Sequence, residues 1–405
     1  MINRPLYLDH LLNELHTPSV KILTGMRRSG KSGILQLLRD ALASRGVAKQ
    51  NIITLSFEGL ENSLITDSSS LYEAVTQRVG AAQGRIYLFL DEPARIRTWA
   101  RAALHLLHDL DIDIYVAGSG SAIASPSVLA ILEECSRFFH VGSLSFSEYL
   151  EFRSSYAQLE DDQREFARYT MLGGFPMLHL RACTQDEAYA YLRDVTGSAI
   201  WNDVVGSHQL RKAEQLTRII RFVFENVGRT FSAKHLSDSL KSENKEINIE
   251  TVYTYLERLE NAYIVSRCKR YDLSIDEPLK TQEKFYLSDH ALRFATLGFS
   301  SDAIGSSLEN LIYLELVRRG YDVYLGKHGR RIVDFVAMRE NERVYVQLGR
   351  EVMPSRQENS AFSTLSSLRD NYPKFILCMD KGSEGNKNGI QTVAVTDFLT
   401  GNYLS

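Results

Sequence analysis

Several things are scarce in this chain, and each scarcity removes a class of protein. Cysteine occurs 4 times in 405 residues. Cys135, Cys183, Cys268 and Cys378 form neither a CxxC pair nor a Cys/His cluster, which argues against a zinc site and a disulfide framework and for reduced, mostly structural thiols. With only 8 Pro and 25 Gly beside 44% hydrophobic and 24% charged residues, the composition is globular rather than collagenous, low-complexity or disordered. No stretch approaches the roughly 18 uninterrupted apolar residues of a membrane span, and MINRPLYLDHLLNEL lacks the apolar centre of a signal peptide. A soluble, cytoplasmic protein without a membrane partner is expected. A charge excess is missing too: 47 Lys and Arg stand against 50 Asp and Glu, a net −3. That excludes a globally basic protein coating nucleic acid, but not a local basic face.

The length requires two to four domains at roughly 100–200 residues each. In the first third, VKILT (20–24), IITLSF (52–57), RIYLFL (85–90) and IDIYVAG (112–118) alternate with helix-like segments at 31–44, 70–83 and 98–110. This alternation is the signature of a parallel sheet with crossover helices, so residues 1–146 are expected to form a nucleotide-binding α/β domain. From 147 to 211 the strand-like runs stop, and helices interrupted by Gly173-Gly174-Phe175-Pro176 suggest a lid or connector. Residues 212–285 read as a winged helix: helices at 214–227, 232–241 (capped by Ser232) and 249–261 (capped by Asn248), then YIVSRCKRY and KFYLSD as the wing. Residues 286–405 form a separate α/β unit, with a helix over 308–319 and strands at YDVYL, RIVDFVAM, RVYVQL, KFILCM and TVAV. The stretch 382–389 fits an exposed loop.

Gly25-Met26-Arg27-Arg28-Ser29-Gly30-Lys31-Ser32 satisfies GxxxxGK[ST] between an expected strand and an expected helix, the context this motif needs. Gly25, Arg27, Arg28, Ser29, Gly30, Lys31 and Ser32 are the expected nucleotide-binding set for ATP or ADP. Loop N–H groups and the helix N-terminus receive phosphate, Lys31 reaches the β and γ phosphates, and the Ser32 hydroxyl ligates Mg²⁺. The apolar strand ending in Asp91-Glu92 supplies a carboxylate for the Mg²⁺ shell and a general base, Glu92, for the attacking water. After the next strand, Ser119 or Ser121 either senses the γ-phosphate or marks an ordinary turn. Arg137, beyond an expected helix at 127–135, is either an arginine finger into a neighbouring subunit or a surface arginine. In the winged helix, Arg267, Lys269 and Arg270 cluster at the wing, and Thr251, Tyr253, Thr254 and Arg258 line the third helix. They suit DNA contact, mainly with phosphates, or else a protein interface.

TGMRRSGKS, YLFLDEPARIRTWAR, GSLSFSEYLEF, LGGFP, TVYTYLERLENAYIV, SLENLIYLELVRRGYDVYLGK and VDFVA, in this order, resemble a family of bacterial and archaeal AAA+-like ATPases. In that family the ATPase module precedes a winged helix and a C-terminal domain of unknown function resembling the PD-(D/E)XK nuclease fold. The resemblance implies Lys31 and Ser32 as nucleotide and Mg²⁺ contacts, Asp91 and Glu92 as the Walker B pair, and Arg137 at the family's Gly-Arg step. Three departures stand out: Gly120 where the sensor strand usually carries Asn, Ser136 in place of Gly, and Ser143 in place of Pro. A nuclease would also need an acid, an Asp, and then (Asp/Glu)-x-Lys. Glu309 and Asp334 supply the first two, but the next strand reads Gln347-Leu348-Gly349, and Arg350 or Glu351 would serve only after a register shift. The C-terminal unit is therefore expected to be a degenerate, structural or DNA-holding module. The expected protein is an oligomeric, Mg²⁺-dependent ATPase acting on DNA, the competing reading being a nucleotide-gated regulatory ATPase with slow turnover.

Overall fold

The computed structural model describes residues 2–80, 82–120, 122–205, 213–232, 236–237, 248–349, 354–379, 382, 384–401 and 403. The chain divides into two compact units: residues 1–142 with 198–207 and 261–263, and the remainder.

The first unit is built on five parallel strands, β1 (Val20–Thr24), β2 (Ile52–Ser56), β3 (Ile86–Asp91), β4 (Ile112–Ala117) and β5 (Ser136–His140), in the order β2-β3-β4-β1-β5. Helices α1 (Pro5–Asn13), α2 (Lys31–Ser44), α3 (Ser68–Val79), α4 (Trp99–Asp109) and α5 (Pro126–Leu132) cover its faces. Because successive side chains on a strand point to opposite faces, a sheet covered on both sides has continuously apolar strands. Ile86, Leu88 and Leu90 of β3 accordingly pack with Leu71 and Val75 of α3 and Trp99, Ala103 and Leu106 of α4. Phe89 of the same strand faces Leu23, Tyr115 and the α2 residues Ile34, Leu38 and Leu42. The sequence did not signal β5. Ser-Arg-Phe-Phe-His is an edge strand with two exposed central residues, so it lacks the apolar run, and α5 ends at Leu132 rather than 135.

The second unit opens with helices Phe146–Ser154, Asp162–Leu172 and most of Gln185–Ala199, followed later by Ala213–Glu225 and Ile249–Asn261. The expected helix over 232–241 lies for the most part outside the described residues. Asn248 does cap the last of these helices, its side-chain oxygen accepting from the Glu250 N–H at 3.2 Å. Among the described residues, eight strands form one mixed sheet in the order β12-β13-β11-β10-β9-β8-β6-β7. They are β6 (Val265–Asp272), β7 (Glu277–Leu287), β8 (Asp322–His328), β9 (Arg331–Arg339), β10 (Glu342–Leu348), β11 (Lys374–Cys378), β12 (Gly385–Lys387) and β13 (Ile390–Ala394). The β6/β7 hairpin expected as a wing thus shares a sheet with the C-terminal strands. Once β7 occupies one side of β6, the free backbone groups on the other side pair in parallel with β8, Arg270 opposite Leu325. The stretch 382–389 also differs from a plain loop. Asn388 and Gly389 both have positive φ, 53° and 78°, and close a hairpin between β12 and β13, the conformation for which Asn-Gly is favoured.

One polar pair interrupts the first unit's core. Lys21 of β1 and Asp113 of β4, with side chains 0% and 1% exposed, meet at 3.1 Å, and Lys21 also donates to the Thr17 carbonyl at 2.8 Å. Burial lowers the pKa of Lys21, and Asp113 opposes that shift. Removing one partner strands a charge, whereas removing both does not. Asp113→Ala should therefore destabilise the first unit by about 3–5 kcal/mol, and a double replacement of both residues by apolar ones of similar volume by much less. Trp99 and Trp201, the only 2 tryptophans, both lie in this unit, so tryptophan fluorescence during urea unfolding reads its transition selectively.

Candidate nucleotide-binding site

The strand order sets β1 beside β4, and the chain leaves them in opposite directions, towards α2 and towards α5. In open α/β sheets ligands bind at the carboxyl ends of strands where connections diverge in this way. Residues 25–30 occupy that position. Gly25, Arg28 and Gly30 have φ of 134°, 64° and 101°, a run of left-handed residues that turns backbone N–H groups inward as an anion cradle. Gly25 is required by space as well, since a Cβ there would lie 2.3 Å from the Val141 carbonyl oxygen. Beneath the loop the buried Arg4 donates to the Ser29 carbonyl at 2.9 Å and to the Gly142 carbonyl at 3.2 Å. Arg4 carries no motif, and sequence reasoning missed it. The Ser29 hydroxyl is buried without a hydrogen-bond partner among the described residues, so the cradle holds an unused polar atom of the kind a phosphate oxygen would satisfy.

Lys31 begins α2 and is buried, its ammonium donating to the carbonyls of Gly25 at 3.0 Å and Met26 at 2.9 Å. Burial brings its pKa down to about 8, while Glu92 and Asp91 pull the other way. The Ser32 hydroxyl lies near enough to the Asp91 carboxyl to hold its pKa down, so the two expected Mg²⁺ ligands are neighbours. Burial lifts the Asp91 carboxyl to about 6; the Ser32 hydroxyl opposes this and the charges of Glu58 and Glu92 add to it. Glu92 sits at φ 54°. Its carboxylate accepts from the Ser119 hydroxyl at 2.8 Å, which ties the end of β4 to the expected general base. Ser121 lies outside the described residues.

Two stretches of the chain match known family models. Residues 17–150 match the model of an AAA domain, and residues 163–303 that of a domain of unknown function, DUF8612. An uncharacterised protein of Haemophilus influenzae is 29% identical over 399 residues, 98% of each chain. The uncharacterised protein MJ1544 of Methanocaldococcus jannaschii is 25% identical over 385 residues, 91% of this chain and 82% of that one. Among solved structures, a Walker-type ATPase of Pyrococcus abyssi superposes with a TM-score of 0.51 at 13% identity, covering 73% of this chain and 95% of that one, a likeness of fold. The match over residues 17–150 supports an AAA-type ATPase domain there.

Within the first unit, Arg27 is not presented to the cradle alone. Its Nε and Nη2 donate to Asp203 at 2.9 and 3.0 Å, a bidentate pair. Asp203 lies on a π-helical turn, Ile200–Val205, that prolongs the helix Gln185–Ala199. Its carboxylate also explains Gly120. Gly120 has φ 71°, and a Cβ there would lie 2.8 Å from Asp203 Oδ1, so the asparagine expected from the family does not fit. Asp203, far from the ATPase motifs in sequence, left no signal of its own. Arg28 is exposed. Arg137 is exposed on the edge strand β5 opposite Lys21 in β1, outside the group formed by Lys31, Ser32, Asp91 and Glu92. Ser136 before it has φ −130° and needs no glycine.

The basic residues expected to meet DNA are sorted by the structure. Arg267 donates to Glu260 at 2.6 Å and lies 3.4 Å from Glu283, so its charge is matched internally and it leaves the set of free phosphate contacts. Lys269 is exposed, and Arg258 lies over the Tyr255 ring at 5.8 Å. Arg270 turns instead into a cleft with Lys284, Asp334 and Gln347. Of the residues on the third helix, Tyr253 and Thr254 are exposed and Thr251 is half-buried.

The Asp91 carboxyl gives the ATPase domain a pH signature. Its pKa rises from an unfolded value near 4 to about 6, so between these values the folded, nucleotide-free protein binds a proton that the unfolded chain has released. Stability should fall as pH climbs through that window and level off above it. Asp91→Asn should abolish the decline and gain about 1–3 kcal/mol at neutral pH, read by urea unfolding across pH.

Proposed function

We propose that this chain is a Mg²⁺-dependent ATPase that works as an oligomer of identical subunits on DNA, duplex or branched. The observation that carries the reading is the convergence, at the carboxyl ends of β1, β3 and β4, of Lys31, the Ser32–Asp91 pair and the Glu92–Ser119 pair. Gly25, Arg28, Ser29 and Gly30 would cradle the phosphates. Lys31 would exchange its two carbonyl partners for phosphate oxygens, and Ser32 and Asp91 would hold Mg²⁺, which neutralises charge on the phosphates. Glu92, released from Ser119, would accept the proton of the attacking water. Arg137, exposed at a sheet edge, would reach the γ-phosphate held by a neighbouring copy. Segments 147–211, 212–285 and 286–405 would serve as lid, winged helix and degenerate nuclease-like module. DNA contacts would come from Arg258, Lys269 and Arg270.

A second reading, a nucleotide-gated regulatory ATPase with a protein partner and slow turnover, is favoured by one feature. The expected base is tied to Ser119, and Gly120 offers no side chain to a γ-phosphate. Turnover separates the two readings. Lys31→Ala should remove ATP binding measured by calorimetry. Glu92→Gln should retain binding and slow hydrolysis by about a hundredfold or more. An unchanged rate in Glu92→Gln would assign water activation to another group.

The oligomer makes its own expectation. Arg137→Ala should bind ATP normally yet hydrolyse it slowly, and mixing it with the Lys31→Ala protein should restore part of the rate, because each supplies what the other lacks. A rate per subunit independent of protein concentration, together with monomeric sedimentation, would leave Arg137 a surface residue.

A further inference from the structure

The second unit contains an open cleft of about 730 Å³, lined by Arg229, Thr230, Arg270, Lys284, Asp334 and Gln347 among others. Its acids are already committed. Glu309, buried on the helix Ile304–Arg318, accepts from Lys284 Nζ and the Tyr286 hydroxyl, each at 2.6 Å. Asp334 accepts from Gln347 Nε2 at 2.7 Å and the Leu348 N–H at 2.9 Å, while Gln347 Oε1 accepts from the Asp334 N–H at 3.2 Å. Among the described residues no group of three or more His, Cys, Asp and Glu could hold a metal ion. The cations are less fully matched. Lys284 is paired with Glu309, but neither Arg229 nor Arg270 has a carboxylate partner among the described residues, and the Nε of Arg270 is buried with no hydrogen bond. Gly228, at φ 71°, brings the Arg229-Thr230 turn against Glu309, whose carboxylate would stand 3.3 Å from a Cβ at that position. The turn is thus anchored at the cleft. Arg293 adds to the local positive field: burial lowers its pKa, and Arg229 lowers it further.

We propose that this cleft binds the phosphodiester backbone of DNA, with the guanidinium groups of Arg229 and Arg270 standing where a nuclease would use a metal ion, and that it holds the strand without cutting it. The proposal rests on the DNA reading above and names the site where DNA is held. A buried guanidinium N–H without an acceptor costs free energy that a phosphate oxygen would recover. Arg also offers the planar, multi-donor geometry suited to phosphate.

The test is binding of a fluorescein-labelled DNA duplex to the full chain, followed by anisotropy over a range of salt concentrations. Replacing both Arg229 and Arg270 by Ala should weaken binding about tenfold or more at low salt. The slope of log K against log salt should flatten by about 1.8, at about 0.9 per phosphate neutralised on duplex DNA. The Arg229→Lys, Arg270→Lys pair should keep most of the slope, EDTA should leave the parent's affinity unchanged, and the oligonucleotide should be recovered intact after incubation with Mg²⁺. A double Ala variant that binds as the parent does, with the same slope, would overturn the cleft assignment while leaving the DNA reading in place. Binding that needs Mg²⁺, or strand cleavage, would also overturn it. A parent that binds no DNA, or only an RNA oligonucleotide, would overturn both.

Discussion

A cation with almost no access to water has to be matched from within, and the first unit is organised around how Lys31 is matched. Its ammonium is supported by two carbonyl oxygens of its own loop and by the nearby charges of Asp91 and Glu92. That arrangement requires the loop to close tightly, which requires Gly25 to approach the Val141 carbonyl more nearly than any side chain would permit. Val141 is in turn placed by β5, whose pairing with β1 continues into the hydrogen bond from the Val141 N–H to the Thr24 carbonyl at 2.8 Å. The edge strand that looks least like core is therefore part of what shapes the phosphate loop, and Arg4 braces the same corner by bonding both Ser29 and Gly142. Such a site is assembled before ligand arrives. What phosphate would change is the identity of the acceptors around Lys31, not the fold that holds it.

What could be read from the sequence, and what could not, follows from the range of each interaction. β1, β3 and β4 are buried on both faces, so each is a short apolar run bounded by turn residues, and periodicity finds it. The P-loop and the Asp91-Glu92 strand end are legible because their chemistry needs fixed residue types at fixed spacing. β5 is hidden because an edge strand exposed on one side carries no such run. Asn388-Gly389 is a hairpin signal without a flanking strand pattern on one side, because β12 is only three residues long. Asp203 is beyond local reading altogether: its meaning arises only when a helix end 176 residues from Arg27 comes beside the loop.

In the second unit, strand geometry does what composition could not. Arg267, Lys269 and Arg270 are adjacent in sequence, and counted together they look like a single basic patch. Alternation along β6 and the irregularity between Cys268 and Arg270 send them to different surroundings. Arg267 meets Glu260 and Glu283, Lys269 meets solvent, and Arg270 faces the cleft. Gln347 and Gly349 stand where a nuclease would need an acid and a lysine, and the two acids near them are already matched. Lys284, arriving from β7, occupies the carboxylate of Glu309, and the Gln347 amide satisfies Asp334 from the neighbouring strand. A buried carboxylate needs either a cation or donors, and here both acids have found them within the chain.

The glycine at position 120 is best understood through Asp203 rather than through the family pattern. A side chain at 120 and the Asp203 carboxylate compete for the same space, and the left-handed φ of Gly120 independently disfavours any other residue. With Asp203 present, Arg27 gains a bidentate partner whose side chain is only 6% exposed, and a charge pair shielded to that degree is held more firmly than one on the surface. Gly120 thus leaves at the end of β4 the room that the Asp203 carboxylate occupies while it pairs with Arg27 of the phosphate loop. Because Arg27 stands in the loop that would receive phosphate, any anion arriving there competes with Asp203 for the same guanidinium.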